Sequence, residues 1–239
     1  MTEVDFLSLE SCVSLPRGFL VTVNMQHLYE SRRSPELAAT LHDPNARLCL
    51  DGRGAWKLCE RAFGRSLPLV AGNRIVGVWL ERSAGKRVLV IGSTAKVMAA
   101  IRTRYPAVDF IQDDSVFAIG RQADAEAVAR RITGKYGAGY SSIMIALGVP
   151  KQEILAQALA RSSYPDTPIL CIGGSFEMLA GLLPRSPELV QRIGMEGLWR
   201  LVLEPTAKRW ERLFRSYAEF GRLMLRPGEL ASLLRAPAR

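Results

Sequence analysis

At 239 residues with 48% hydrophobic content, the chain is long enough to bury one substantial core, and one main domain is expected. Its formal charge of +9 and pI near 9.8 call for an anionic partner: nucleic acid, a phosphate-bearing substrate or a lipid surface. No apolar run approaches the roughly 18 residues of a membrane span. The acidic start "MTEVDFLSLESC" lacks a basic n-region followed by an apolar core and does not read as a secretory signal, and Cys12, Cys49, Cys59 and Cys171 show no C-x-x-C spacing, so a reduced, cytosolic chain is expected.

Short runs of branched residues mark six strands in chain order: "GFLVTVN", "ARLCLDG", "KRVLVIG", "VDFI", "SSIMIALG" and "PILCIGG". Helical stretches lie between them, among them Gln26 to Leu41, Ala95 to Tyr105, Ala123 to Tyr136 and Gln152 to Arg161. The alternation predicts an α/β chain with a Rossmann-like, mainly parallel sheet and helices on both faces. Strands end in small or polar residues: Asn24, Asp51 with Gly52, Gly92, Gly148, and Gly173 with Gly174. In an open α/β sheet these ends line the edge where ligands bind.

Residues 1–204 are assigned to this domain and residues 205–239 to a basic amphipathic appendage. There Trp210, Leu213, Phe214, Tyr217, Phe220 and Met224 recur at helical spacing, and eight basic residues face three acids. The pattern fits a helix packed on the domain, and it fits one lying on an anionic lipid surface.

Within "IALGVPKQE" the strand Ile143 to Leu147 stops at Gly148, and Pro150 stands where a helix starts without needing its N–H. Glu153 falls in the first turn, where a carboxylate suits the helix dipole. This is either a plain strand-to-helix junction or a ligand site built on free N–H groups. Asp51 is placed either to accept a proton from a substrate hydroxyl or to make a D-G turn with Gly52. "VIGST" resembles a phosphate-binding turn but lacks both G-x-G-x-x-G and G-x-x-x-x-G-K-[ST]. "QDDS", with Asp113 and Asp114, reads as a solvated turn. His27 and His42 have no cysteine or acid at zinc-ligand spacing, so neither metal nor cofactor is expected. Arg185, Arg192 and Arg200 are of the type that clamps phosphates, and equally surface or capping residues.

Six motifs together carry a resemblance: "TVN" at Thr22, "DG" at Asp51, "LGVPKQE", "IGGSFEMLAG", "PRSPE" and "GMEGLWRLVLEP". In this order, from about Phe19 to Leu213, the chain resembles the WecG/TagA/CpsF glycosyltransferase family. The resemblance implies inverting, metal-independent transfer of a sugar from a UDP-sugar to a polyprenyl-pyrophosphate-linked sugar, at the cytoplasmic face of the membrane, in exopolysaccharide or surface-glycan assembly. It implies Asp51 as general base, and Thr22 and Asn24 as positioning the acceptor sugar. The turn Gly148, Pro150, Lys151, Gln152 and Glu153 would line the pocket, with Gln152 touching substrate. Gly173 and Gly174 would admit the nucleotide, and a later arginine, of Arg200, Arg209 and Arg212, would reach the pyrophosphate.

The resemblance departs at "PLVAGNRI", where Leu69 stands at the family's arginine and Arg74 at the aspartate of a G-x-D turn, and at "IGSTAK", which replaces a Gly-Pro-Gly turn. The altered pair points to UDP-glucose, with N-acetylmannosamine or its uronic acid as alternative donors. A non-catalytic Rossmann-like module binding nucleic acid is the other class of reading. It would need aromatic and basic residues interleaved on the main domain, whereas here they concentrate in the terminal segment, so nucleic acid is not an expected partner. Oligomeric state is not legible.

Overall fold

The computed structural model describes residues 4–115, 118–184, 187, 189–190, 196–203 and 205–234. The six expected strands form as β1 (Phe19–Val23), β2 (Ala46–Leu50), β3 (Arg87–Gly92), β4 (Asp109–Asp113), β5 (Ser142–Ala146) and β6 (Ile169–Cys171). All pair in parallel, in the order β2-β1-β6-β5-β3-β4. Successive side chains of a strand point to opposite faces, and here both faces are apolar. Phe19, Val21, Val23, Leu89 and Ile143 enter one core; Leu20, Cys49, Val88, Val90 and Met144 enter the other. A sheet buried on both sides explains why its strands read as continuous apolar runs rather than alternating ones.

Helices cover the two faces. Against the first core lie α2 (Met25–Ser31), α3 (Pro35–Leu41), α4 (Arg53–Phe63), α7 (Gln122–Tyr136) and α8 (Lys151–Ser162), contributing Leu28, Leu37, Leu58, Ala129 and Leu155. Against the second lie α1 (Leu9–Val13), α5 (Gly72–Glu81), α6 (Ala95–Arg104) and α9 (Ser175–Leu179), contributing Cys12, Ile75, Met98 and Phe176. The chain closes with α10 (Glu196–Leu203), α11 (Ala207–Leu225) and α12 (Pro227–Leu234). The architecture is the expected α/β one, with a single sheet between helical layers.

Two local expectations change. The stretch Gln26 to Leu41 is two helices, because Ser34 caps a new one: its hydroxyl accepts the Leu37 N–H at 3.1 Å and Pro35 fills the first turn. β4 also runs two residues further than "VDFI", so Asp113 is buried at the strand end and only Asp114 is exposed. Burial works to raise the Asp113 pKa. Hydrogen bonds from Ser115 and the charges of Lys135 and Arg131 outweigh it and hold this carboxyl below its usual value.

The terminal segment is divided in character. Phe220, Leu223 and Met224 of α11 and Leu230, Leu233 and Leu234 of α12 join the first core. Glu219, 3% exposed, accepts from Arg32 Nε at 3.1 Å and Arg222 Nη2 at 3.0 Å, and so ties α11 to the end of α2. Earlier in α11 the same stripe faces outward: Trp210 and Phe214 stack at 5.6 Å and, with Tyr217, are about half exposed or more.

Candidate active site

The strand order sets where a ligand fits. After β3 the chain moves outward to β4, whereas after β5 it moves the opposite way to β6. Neighbouring strands whose connections diverge leave a crevice at their carboxyl ends, the usual ligand site of an open α/β sheet. β1, β2 and β6 end on the same edge, and the residues expected to be functional gather there.

Asp51 follows β2, and its N–H donates to the Val23 carbonyl at 2.9 Å. Gly52, at φ +85°, turns the chain into α4, so the D-G turn is real and it aims the carboxylate at its neighbours. Those neighbours are legible from Gly72, the first residue of α5. A methyl group built there would lie 3.3 Å from Asp51 Oδ2, 3.4 Å from Thr22 Cγ2 and 3.6 Å from Ser175 Oγ. Four elements thus converge on one point, and it stays open because residue 72 has no side chain. The negative charge of Asp51 also reaches back to Cys49, whose thiol is pushed well up by its hydrogen bond with Cys12, then by burial and the charges of Cys12 and Asp51.

The second half of the site is a chain of hydrogen bonds. Asn24 caps α2: its Oδ1 accepts the Gln26 N–H at 3.0 Å, and its own N–H donates to His27 Nδ1 at 3.2 Å. His27 Nε2 meets Glu153 Oε1 at 3.0 Å, and Gln152 Nε2 donates to the same oxygen at 2.6 Å. Gln152 Oε1 in turn accepts the Gly173 N–H at 2.9 Å, where Gly173 takes φ +47°. Pro150 caps α8, and the Lys151 N–H closes a turn onto the Gly148 carbonyl at 2.9 Å. The junction in "IALGVPKQE" therefore carries Gln152 and Glu153 inward, both buried. Burial, then the charge of Glu153, pushes the Cys171 thiol well up.

Thr22, Asn24, Asp51, Gln152, Glu153, Gly173 and Gly174 thus share one edge of the sheet. Phe220 of α11 lies beside it, 3.8 Å from the position a Cβ on Gly54 would take, while Met25 Cγ is 3.1 Å from that position. Arg209, half-buried, and Arg212, exposed, stand on the first two turns of α11. Arg185, Arg192 and the side chain of Arg200 lie outside the described residues. Sequence reading missed Ser175, Gly72, the partnership of His27, and Glu177, whose Oε2 is buried without a hydrogen-bond partner beside Gly174. Only the glycine run before Ser175 gave any signal of these. Among the described residues, no three His, Cys, Asp or Glu side chains cluster as a metal site would need.

The family model for WecG/TagA/CpsF glycosyl transferases matches residues 4–230. The chain belongs to the WecG/TagA/CpsF family of glycosyltransferases. A glycosyltransferase of this kind needs room for a sugar donor and an acceptor on one surface, and the carboxyl edge of the sheet offers two adjoining clusters, one at Asp51 and one at Gln152–Gly173. No described helix is long and apolar enough to cross a membrane.

Proposed function

We propose that this glycosyltransferase moves a sugar, with inversion and without a metal, from a UDP-sugar to a hydroxyl of a polyprenyl-pyrophosphate-linked monosaccharide in surface-glycan assembly. The observation that carries the reading is the convergence of Asp51, Thr22 and Ser175 around the side-chain-free Gly72. In the reaction the acceptor hydroxyl oxygen attacks the anomeric carbon from the face opposite the nucleotide, and the new C–O bond forms as the bond to the diphosphate breaks. UDP leaves with the electron pair, and the hydroxyl proton passes to Asp51. A positioned base of this kind accelerates such a step by about a hundred- to ten-thousandfold.

In this reading Thr22 and Asn24 hold the acceptor sugar, and the turn Gly148–Glu153 with Gly173 and Gly174 borders the donor. Lys151, Arg200, Arg209 and Arg212 supply the positive charge that offsets the departing diphosphate. The altered "PLVAGNRI" segment favours a neutral donor, UDP-glucose, over N-acetylmannosamine or its uronic acid. The exposed Trp210, Phe214 and Tyr217, flanked by arginines, suit attachment to an anionic cytoplasmic leaflet, where the acceptor's prenyl chain resides.

The test is to incubate the full chain with labelled UDP-sugars and a short-chain prenyl-pyrophosphoryl sugar, with and without EDTA. Transfer from one donor that survives EDTA is expected. Absence of transfer from every donor, together with tight salt-sensitive DNA binding, would favour a nucleic-acid module instead.

A further inference from the structure

His27 is fully internal, 1% exposed, and lies 126 residues from its partner Glu153, itself 0% exposed. It faces two ways. Toward β1, its Nδ1 lies 3.2 Å from the Asn24 nitrogen, whose N–H can donate to it, and 3.1 Å from Asn24 Oδ1, which only accepts; the tautomer protonated at Nε2 satisfies the first contact and supplies a donor to Glu153. Toward α8, Nε2–H then donates to Glu153 Oε1, the oxygen that also receives Gln152 Nε2. Because Gln152 Oε1 holds the Gly173 N–H, a single imidazole joins the strand end carrying Asn24 to the turn that ends β6.

We propose that His27 is a positioning residue for transfer, acting with Glu153 to hold the acceptor-side Asn24 and the donor-side Gln152–Gly173 turn at a fixed separation. This rests on the functional reading above and adds to it. His27 touches no reacting atom and takes no proton from substrate. Its contribution is register between two subsites carried by elements far apart in sequence, where a misplacement of about 1 Å costs about a hundredfold. Glu153 enters the link through Oε1, which takes both donors, while Oε2 is buried with no hydrogen-bond partner.

Two half-replacements separate the roles. His27→Asn keeps an acceptor for the Asn24 N–H and loses the link to Glu153, so KM for the donor rises while KM for the acceptor stays within about twofold. His27→Gln keeps a donor for Glu153 and loses the Asn24 acceptor, so the acceptor KM rises instead. In each variant kcat/KM for the affected substrate falls about 10- to 100-fold. Glu153→Gln, which retains an acceptor oxygen, loses less in kcat/KM than Glu153→Leu, which removes it.

A purely structural role would lower the melting temperature of both His27 variants and leave both KM values alone, and that result would overturn the proposal. So would a Glu153→Gln variant that folds and loses as much as Glu153→Leu. Should neither His27 variant fold, the ¹⁵N shifts of the wild-type imidazole decide: an unprotonated Nδ1 is expected, and a protonated one refutes the arrangement. A wild type that transfers no sugar sinks the functional reading instead, and the same ¹⁵N measurement still judges His27 by itself.

Discussion

Gly72→Ala is a small change whose consequences follow from three distances. The added methyl would sit 3.3 Å from Asp51 Oδ2, 3.4 Å from Thr22 Cγ2 and 3.6 Å from Ser175 Oγ. Ordinary carbon contacts begin near 3.5 Å, so the Thr22 and Ser175 contacts are tolerable, and the carboxylate must retreat by a few tenths of an ångström. Residue 72 is helical with no positive φ, so alanine fits the backbone, and loss of unfolded-state freedom stabilises by about 0.4–1 kcal/mol. The two effects nearly cancel, and the melting temperature should move by only a few degrees. Catalysis has no such compensation. If about 1 Å of misplacement costs about a hundredfold, a few tenths costs about three- to tenfold, in kcat rather than in KM for the UDP-sugar, because the group displaced is the base. Steady-state transfer kinetics alongside thermal unfolding would measure both. Wild-type kcat in a normally folded Gly72→Ala protein would mean that the Asp51 carboxylate is not held for chemistry at this point.

Asp51→Asn should keep the fold and UDP binding by calorimetry while losing about a hundred- to ten-thousandfold in transfer rate; near-normal turnover would remove Asp51 from the mechanism. Trp210→Glu with Phe214→Glu should abolish cosedimentation with anionic liposomes yet leave kcat on a short-chain soluble acceptor near wild type, because both side chains face solvent. Asp113 has a folded-state pKa below the ordinary 3.8, so its contribution to stability is present above that value and is lost as pH falls through the folded value. Asp113→Asn should therefore be less stable than wild type in urea titrations at pH 7, with the difference closing below about pH 4; a gap that persists or widens in acid would show that charge is not the cause.

The sheet was legible because burial on both faces leaves the same trace at each strand: an apolar run closed by a small or polar residue. The stretch between the second and third strands was less informative. The chain must pass from β2 at one edge across β1, β6 and β5 to reach β3, and it does so through α4 and α5, whose pattern alone gives no destination. Asp51, Asn24 and the Pro-Lys-Gln-Glu turn were legible as strand-end residues and through the family resemblance. Their contacts were not, since the His27–Glu153 bond spans 126 residues and local spacing carries no record of it. Ser175 was hidden for a similar reason, as nothing in "GGSFEM" indicates that its hydroxyl lies beside Gly72 at the start of α5.

The terminal segment shows the limit of periodicity most directly, because one stripe of apolar residues at helical spacing serves two environments. Its first half, at Trp210, Phe214 and Tyr217, meets solvent, while its second half continues into the core with Leu223, Leu230 and Leu234 each no more than 2% exposed. Burying a leucine stabilises by about 2 kcal/mol, so these three alone contribute about 6 kcal/mol, comparable with the whole stability of about 5–15 kcal/mol of an ordinary domain. Removing residues 205–239 would also take away Glu219 together with Arg222, and with them the ion pair that Glu219 makes to Arg32. Deletion of the segment is therefore expected to lower the melting temperature sharply or prevent folding, and lost transfer in such a protein would say nothing about membrane attachment. The paired glutamate replacements on the exposed half can separate the two, because they alter the surface that would meet lipid and leave the buried leucines in place. If deletion gave instead a protein that unfolds at the full-length temperature, the second half of the segment would contribute nothing to the core, and the packing of Leu223, Leu230 and Leu234 would be refuted.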